Sequence, residues 1–292
     1  MQGTMEQLMN LTLNTLETYD YLDAPAITVV CGAGAGVELG MPTFNGNGGL
    51  LSSKEAAERV IKGTYDSAYV RYRERDNELI CGRVNPDGTR AEILFKQPRS
   101  NDCLNRLPAF FYSFIGCYFS EEKLAEVHKV ARNKIDTHID FLEFLQAYCE
   151  VKEKDCNIFT LNIDGVLDVA GIKATKIHGQ MGRNRCVGCG SNAVGLYPYI
   201  PRSLYSGTTE EYLDRYKCHH CGAQIRPDIV LMDEDEPQLV IADLVGSLQR
   251  STCIVSIGVN HNNHIGRLLL SEAKAGDRCL IRVDEDGVTI QK

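Results

Sequence analysis

The stretch VVCGAGAGVELGMPTF, residues 29 to 44, starts like a buried strand and then places glycine at three positions of the following turn, Gly32, Gly34 and Gly36. A glycine-rich turn between a strand and a helix lets backbone N–H groups approach a pyrophosphate, and the helix N-terminus adds partial positive charge. The alternative is a tight turn that requires only positive φ. Taken alone, the glycines leave both roles open.

The turn matches the dinucleotide-binding fingerprint only in part. Gly32 and Gly34 occupy its first two glycine positions, but Val37 stands where the third glycine belongs. No acidic residue for a ribose stands out about 20 residues later. The stretch therefore gives poor support to an ordinary dehydrogenase.

Composition narrows the class of protein. The chain has 292 residues, 43% hydrophobic and 24% charged, with a net charge of -8. These values are ordinary for a globular protein, and the negative charge argues against a general nucleic-acid surface. The longest apolar stretches, such as AITVV at 26–30, are far too short for a membrane span, and the N-terminus lacks a signal-peptide pattern. We expect a cytoplasmic protein that binds neither nucleic acid directly nor membrane.

Strands alternate with helices along much of the chain, which predicts parallel pairing and an α/β sheet covered on both faces. The predicted strands and helices include a helix at 4–22, a strand at 26–31, and helices at 52–63, 121–132 and 136–150. Residues 64–107 break this rhythm. There, a hairpin around the NPDGT turn in 78–95 and an irregular surface insertion are equally supported.

Four of the twelve cysteines form two C-x-x-C pairs, Cys186 with Cys189 and Cys218 with Cys221. Each pair can aim two thiolates at one metal, and four thiolates give Zn²⁺ a closed tetrahedral shell. The 28 residues between the pairs exceed the usual spacing of about 15 to 20. One pair alone would also fit a redox site, but two pairs favour structural zinc. His219 and His220 are expected at the surface.

The order of motifs resembles the sirtuins, the NAD-dependent protein deacylase family. The family signature is a GAGxS turn with a following GIPDFR, then TQNID, HG, two C-x-x-C pairs and GGxxRPDVV. The matching residues in this chain, in the same order and apart from the cysteines, are Gly32, Ala33, Gly34, Gly40, Pro42, Phe44, Thr160, Asn162, Ile163, Asp164, Ala170, Gly171, His178, Gly179, Arg226, Pro227 and Asp228.

The resemblance implies an α/β fold: a Rossmann-like parallel sheet domain and a smaller lobe made of a zinc ribbon and a helical insertion. NAD and substrate would lie in the cleft between them. The implied divisions are a Rossmann-like domain at 1–47, 135–182 and 226–292, a helical or irregular insertion at 48–134, and a zinc-binding module at 183–225.

The resemblance also implies roles for single residues. His178 is the candidate general base, because an imidazole titrates near neutrality and can take a proton from a ribose hydroxyl. Asn162, the second candidate catalytic residue, would line the nicotinamide ribose. Asp164 and the backbone near Ile163 would grip the nicotinamide carboxamide. The alternatives are a packed or surface histidine and, for Asp164, a cap on the following helix.

The wider binding site is implied in the same way. The substrate-binding residues would be Val230 and Met232, flanking an acyl tunnel whose mouth the acidic run at 233–236 would line. A solvated charge run is the alternative for that segment. The implied NAD-binding residues are Gly32, Ala33, Gly34, Gly36, Phe44, Asn45, Asn162, Ile163, Asp164, Gly258, Asn260 and Asp284.

Four positions depart from the signature. Gly36 replaces its serine, Thr43 and Asn45 replace the Asp and Arg of PDFR, and Leu161 replaces the Gln of TQN. Asparagine cannot reproduce the charge and planar donor fork of arginine. The predicted function is an NAD-dependent protein lysine deacylase acting on an acylated protein. Protein ADP-ribosyl transfer or NAD hydrolysis is the alternative, and a catalytically weak sensor of NAD or ADP-ribose is the third.

Overall fold

A computed structural model describes the protein over residues 2–18, 21–23, 25–39, 41, 68–73, 78–84, 87–88, 90–95, 101–106, 111, 125–129, 131, 138–191, 217–284 and 287–291. Several sequence predictions lie outside these ranges. They are the helix at 52–63 and the roles of Gly40, Pro42, Thr43, Phe44 and Asn45.

Two compact units make up the structure, and each is assembled from separate stretches of chain. The first contains Met1–Thr43, Ala125–Gly179 and Glu236–Lys292. The second contains Phe44–Leu124 and Gln180–Asp235. The domain boundaries drawn from the sequence stay a prediction.

The strands and helices of the described residues follow the predicted alternation. In chain order the strands are β1 (Ala26–Cys31), β2 (Ala68–Arg73), β3 (Glu78–Val84), β4 (Arg90–Phe95), β5 (Asp155–Thr160), β6 (Thr175–Lys176), β7 (Gly179–Cys186), β8 (Ile225–Ile229), β9 (Cys253–Ile257), β10 (Cys279–Asp284) and β11 (Gly287–Gln291). The α-helices are Gln2–Thr18, Asn101–Arg106, His138–Val151, Val166–Val169, Gln238–Arg250 and His264–Ala275, and 3-10 helices span Tyr21–Asp23 and Ala33–Leu39.

A six-stranded sheet forms the centre of the first unit, with the order β11-β10-β9-β1-β5-β6. All neighbours pair in parallel except β10 and β11, which are antiparallel. Numbered by their order along the chain, the strands of this sheet run 3-2-1-4-5-6, which is the Rossmann arrangement. The predicted fold class is confirmed.

Strand β1 lies at the centre of this sheet. All six of its residues are buried, and it pairs with β5 on one side and β9 on the other. A strand covered on both faces favours apolar side chains, which explains the run AITVVC. Its one polar side chain, Thr28, is buried and hydrogen-bonds to Ser251 Oγ at 2.7 Å. The packed core beside it consists of Val30, Phe159, Leu161, Ile177, Leu244, Leu248, Ile254, Val259, Ile265, Leu269, Ala273 and Leu280.

The second unit contains a three-stranded antiparallel sheet, β2-β3-β4. Strands β3 and β4 form the hairpin that the sequence left open against an irregular insertion. Gly88 in its turn has a φ of 82°, a value that favours glycine. This sheet lies within 48–134, the range for which the sequence predicted a helical or irregular insertion. A two-stranded sheet of β7 and β8 completes the unit as described.

None of the helices in the described ranges is both long enough and apolar enough to cross a membrane.

Candidate functional site

The first two glycines of the β1 turn lie against the end of β9. The Gly32 amide donates to the Ile257 carbonyl at 2.8 Å, and the Gly34 amide donates to the Gly258 carbonyl at 3.0 Å. A Cβ on Gly32 would lie 2.5 Å from the Gly258 oxygen, and one on Gly34 would lie 2.8 Å from the Gly258 Cα. No real Cβ tolerates such distances, so both positions require glycine.

This contact lies at the topological switch point of the sheet, where the order of the strands reverses. From β1 the chain order runs outward to β5 on one side and to β9 on the other. Open α/β sheets bind ligands beyond the carboxyl ends of their strands at this point. At this switch point Gly32 and Gly34 contact Gly258, which lies more than 200 residues later in the sequence. Because the Gly32 and Gly34 amides already bond to carbonyls, these two glycines serve close packing.

Gly36 faces the side chain of Asp164. A Cβ at Gly36 would lie 3.8 Å from Asp164 Oδ2 and 3.2 Å from the Cβ of Met41. The turn in which it lies is the 3-10 helix Ala33–Leu39, which begins at Ala33. The position where this chain departs from the sirtuin serine thus adjoins the predicted carboxamide-binding residue.

Asp164 is buried, with 7% of its surface exposed. Its Oδ1 accepts a hydrogen bond from the Val166 amide at 2.9 Å, and its carbonyl accepts one from His128 Nε2 at 2.9 Å. Burial raises the pKa of the Asp164 carboxyl, while the Val166 amide, His138 and His128 act in the opposite direction. The N-cap residue of the following helix, Val166–Val169, is Gly165, so Asp164 does not hold the cap position considered from the sequence, although its Oδ1 accepts from the first amide of that helix.

His178 follows the short strand β6 and is held by a backbone carbonyl. Its Nδ1 lies 3.1 Å from the Leu161 oxygen. A carbonyl only accepts, so Nδ1 carries a proton and donates it. The remaining ring nitrogen, Nε2, lies 3.7 Å from Oε1 of Glu236. Nε2 is therefore the atom at which His178 can take up a proton.

The segment between β5 and its helix, residues 161–165, is buried except at Asn162. Leu161 and Ile163 are buried, with 7% and 2% exposed, and Asn162 between them is half-buried. The Asn162 amide donates to Thr160 Oγ1 at 3.0 Å. Leu161 packs in the core while its carbonyl holds His178. Replacement of the sirtuin Gln by Leu thus adds to the core of this unit.

Sequence reasoning missed the pairing of Glu236 with two histidines. Its Oε1 lies 3.7 Å from His178 Nε2, and its Oε2 lies 3.2 Å from His264 Nδ1. The interaction with His178 is the main cause that lowers the pKa of Glu236 to about 2; His264 acts in the same direction and burial opposes it. The only sequence signal was an acidic run, which does not indicate a partner.

Three further polar residues, Arg282, Ser256 and His261, form contacts close to Asp284, one of the predicted NAD-binding residues. Arg282 on β10 is the register partner of Ser256 on β9, and Ser256 Oγ lies 3.2 Å from His261 Nε2. Arg282 also forms an ion pair with Asp284 at 3.5 Å. Burial chiefly, and then Arg282, lowers the pKa of His261. Asp284, a predicted NAD-binding residue, thus has a basic neighbour in Arg282, which lies outside the sirtuin motifs.

Asn260 and the residues after it shape the start of the following helix. Asn260 Oδ1 accepts from the Asn262 amide at 2.9 Å. Asn263 caps the helix His264–Ala275 by accepting from the Gly266 amide at 2.7 Å. The predicted role of Asn260 at the nucleotide stays a prediction, while its side chain has a structural contact.

In the second unit, much of the acidic run bonds to the protein itself. Glu234 accepts two hydrogen bonds of 2.7 Å from Arg226, of which only 2% is exposed. Asp233 accepts from the Asn101 amide at 2.9 and 3.0 Å. Asp233 and Glu234 are therefore engaged in structural contacts within the protein. The role of the acidic run at the mouth of an acyl tunnel stays a prediction. Val230 is half-buried and Met232 is 39% exposed; their substrate roles likewise stay predictions.

The four predicted cysteines form one cluster. The sulfur atoms of Cys186, Cys189, Cys218 and Cys221 all lie within 4.8 Å of one another, and no histidine of the described chain joins them. The Cys186–Cys221 and Cys189–Cys218 sulfur pairs are 3.4 and 3.7 Å apart. A tetrahedral Zn²⁺ with Zn–S bonds of about 2.3 Å requires sulfurs about 3.8 Å apart. The observed separations lie near this value, so the cluster is compatible with a structural zinc ion.

The two cysteine pairs share the same backbone turn. Gly190 donates to the Cys186 carbonyl at 3.1 Å, and Gly222 donates to the Cys218 carbonyl at 2.8 Å. Both glycines have positive φ, 68° and 72°. Backbone amides of Cys221 and His220 lower the pKa of the Cys218 thiol to about 6. These are turns that present thiolates to a metal, and His219 and His220 are exposed as expected.

The Rossmann strand order and the four-cysteine cluster define a nucleotide-binding fold that carries a structural metal module. The Sir2 family model matches residues 94–263, which is more than half of the chain. The chain belongs to the Sir2 family, and the predicted sirtuin resemblance is confirmed.

Curated relatives and solved structures agree with this assignment. The chain is 25% identical to an NAD-dependent protein deacetylase of Listeria monocytogenes serotype 4b over 81% of this chain and 75% of that protein. It is 25% identical to an NAD-dependent protein deacetylase of Staphylococcus aureus (strain Mu50) over 93% and 88%. A mutant Sir2 homologue in complex with ADP-ribose superposes with a TM-score of 0.59 at 18% identity, covering 92% of this chain and 83% of that one.

Proposed function

We propose that this protein is an NAD-dependent protein lysine deacylase that transfers the acyl group of a modified lysine to ADP-ribose. The observation that carries the proposal is the position of His178, whose ring is fixed by the Leu161 carbonyl next to the Asn162–Asp164 segment. Membership of the Sir2 family and the names of the curated relatives support the same activity. The substrate would be an acylated protein.

Asp164, Asn162 and His178 each have a proposed role in the reaction. NAD, when bound, supplies an electrophilic ribose carbon as nicotinamide leaves. Asp164 would hold the carboxamide through its carboxyl group, with Oδ1 already fixed by the Val166 amide. Asn162 would contact the ribose. His178 would then take a proton from a ribose hydroxyl at Nε2, because Nδ1 is committed to Leu161.

Nucleotide binding would use the contact between the β1 turn and Gly258. The close packing of Gly32 and Gly34 on Gly258 removes side chains from the carboxyl ends of two central strands. A dinucleotide needs such bare backbone to bring its phosphates near the sheet. The other proposed cofactor contacts, Ala33, Gly36, Ile163, Asn260 and Asp284, follow or end strands β1, β5, β9 and β10 of the same sheet.

A product analysis tests the proposal. Purified protein is incubated with NAD and lysine-acylated peptides of several acyl lengths, and the products are resolved by mass spectrometry. O-acyl-ADP-ribose is the expected product. Free ADP-ribose alone would establish NAD hydrolysis instead, and a protein mass gain of one ADP-ribosyl unit would establish transfer. Intact NAD binding without nicotinamide release would leave only the sensor function.

His178 variants sharpen the test. Loss of a general base lowers the rate of its step by about 10²- to 10⁴-fold. His178→Ala removes the ring and its contact with Leu161. His178→Asn keeps an N–H donor near the position of Nδ1 but has no basic nitrogen, so it separates the base from the hydrogen bond. We expect both variants to lose deacylation, and full activity in His178→Asn would contradict the assignment.

A further inference from the structure

We propose that Glu236 is a positioning residue for His178, a fixed anion that orients the imidazole and stabilises the positive charge it gains on taking a proton. The inference rests on the proposed function, since it concerns the step in which His178 acts as a base. It assigns a role to a residue that no motif singles out.

Contacts on both sides fix the His178 ring. The Leu161 carbonyl accepts from Nδ1 at 3.1 Å, and the Glu236 carboxylate lies 3.7 Å from Nε2. The second distance is too long for a direct hydrogen bond but within ion-pair range. Both side chains are mostly buried, with 23% of His178 and 20% of Glu236 exposed. Solvent screening of this pair is therefore weaker than at an open surface.

His264 holds the other oxygen of the same carboxylate. Its Nδ1 lies 3.2 Å from Oε2 of Glu236, and its own side chain is 61% exposed. Because the two oxygens of Glu236 serve two different rings, the carboxylate plane is restrained and Oε1 stays directed towards His178. His264 is the first residue of the helix His264–Ala275. Glu236 thus connects the candidate base to a capped helix terminus.

Glu236 acts as a fixed charge and does not carry the proton. The pKa of Glu236 is lowered to about 2, chiefly by His178, so its carboxyl group is ionised near neutrality. In the proposed step the O–H bond of the ribose hydroxyl breaks and an N–H bond forms at Nε2, while Glu236 stays ionised throughout. The negative charge beside Nε2 favours the cationic ring that results.

A purely structural role for Glu236 predicts a different outcome. Glu236 immediately precedes Pro237, the N-cap of the helix Gln238–Arg250, and an acidic group there interacts favourably with the helix dipole. Loss of that interaction would destabilise the folded protein and lower the rates of all reaction steps equally. The proposal instead predicts an effect confined to the step that needs the base.

The experiment measures two steps in the full-length protein with NAD and an acetyl-lysine peptide. Exchange of labelled nicotinamide into NAD reports cleavage of the glycosidic bond, which precedes the base. Formation of O-acetyl-ADP-ribose reports the step that requires His178. The variants are Glu236→Gln, which keeps the size but removes the charge, and Glu236→Asp, which keeps the charge. Asp243→Asn is the control, an exposed charge on the helix that follows Glu236.

We expect Glu236→Gln to lower product formation by about 10- to 100-fold, less than the loss of the base itself. Nicotinamide exchange should stay within about threefold of the wild type, and Glu236→Asp should recover part of the lost rate. Equal losses of both steps in folded Glu236→Gln, or product formation equal to that of Asp243→Asn, would overturn the proposal. A wild-type protein that neither exchanges nor releases nicotinamide would overturn the proposed function itself.

Discussion

Gly34 and Gly258 touch through their backbones: the amide of Gly34 donates to the carbonyl of Gly258 at 3.0 Å, and a Cβ on Gly34 would lie 2.8 Å from the Gly258 Cα. The contact joins the ends of β1 and β9, two strands that are neighbours in the sheet. Its closeness leaves no room for a side chain on either residue. Gly258 also has a φ of 61°, which L-residues rarely adopt.

We therefore expect Gly258→Ala to destabilise the protein strongly. Its Cβ would lie 2.2 Å from the Ala35 nitrogen, in addition to a backbone cost of about 1–2 kcal/mol. Gly171→Ala is the matched control, because Gly171 has a φ of 80° but nothing within 4 Å of the added Cβ. Urea unfolding followed by circular dichroism suits a chain without tryptophan. Equal losses in both variants would mean that the β1–β9 contact adds nothing.

The cysteine cluster predicts about one zinc per chain in metal analysis, as one four-thiolate site requires. Cys218→Ser should lose the metal and loosen the β7–β8 sheet, because metal binding and folding are coupled in such modules. Cys156→Ser, which changes a half-buried thiol of the first unit, should keep the zinc. Zinc retained by Cys218→Ser at the wild-type level would contradict the site.

Glu234→Gln should lower the free energy of unfolding by about 3 kcal/mol, because it leaves the buried Arg226 guanidinium without a counter-charge. The comparison is Arg185→Met, which removes two pairs that are more exposed, one to the same carboxylate at 3.7 Å and one to Asp228 at 3.6 Å. Exposed pairs contribute at most about 1 kcal/mol. Denaturant unfolding of both variants measures the two losses in free energy of unfolding. Equal losses would mean that the Arg226 pair is as weak as the exposed pairs.

Stability should depend on pH through Glu236. Its pKa is lowered in the folded protein from 4.5 to about 2, so the folded state favours the ionised form. The resulting contribution is present in full above about pH 4.5 and is lost as the pH falls towards 2. Melting temperatures of wild type and Glu236→Gln should therefore converge over this range. A difference that widened on acidification would contradict the assigned ion pairs.

Much of the fold was predictable because it rests on local patterns. The apolar run of β1 and the alternation of helices and strands indicate a parallel sheet directly. Each C-x-x-C pair defines its own turn, and the spacing within a pair brings its two thiols together. His178 could be singled out because its HG pair, eight residues before Cys186, matches the sirtuin pattern.

The remaining features of the fold and of the site depend on tertiary contacts that local sequence patterns do not show. Glu236 reaches His178 from a segment that looks like an ordinary charged run, and periodicity carries no information about such a pair. The same holds for Arg226 and Glu234, since burial of the arginine decides the strength of that pair. The hairpin of β3 and β4 was ambiguous because the charged strands there give weak alternation.

The central position of β1 has a consequence for how the chain folds. Its two neighbours come from far along the sequence, and Ile27 pairs with Cys253 only after most of the chain has been made. Contacts of such separation carry a large loop-closure entropy and slow the search for the native state. An early strand that the folded protein buries on both faces therefore lacks its β9 partner until late in synthesis, and its largely apolar surface is open to aggregation until then.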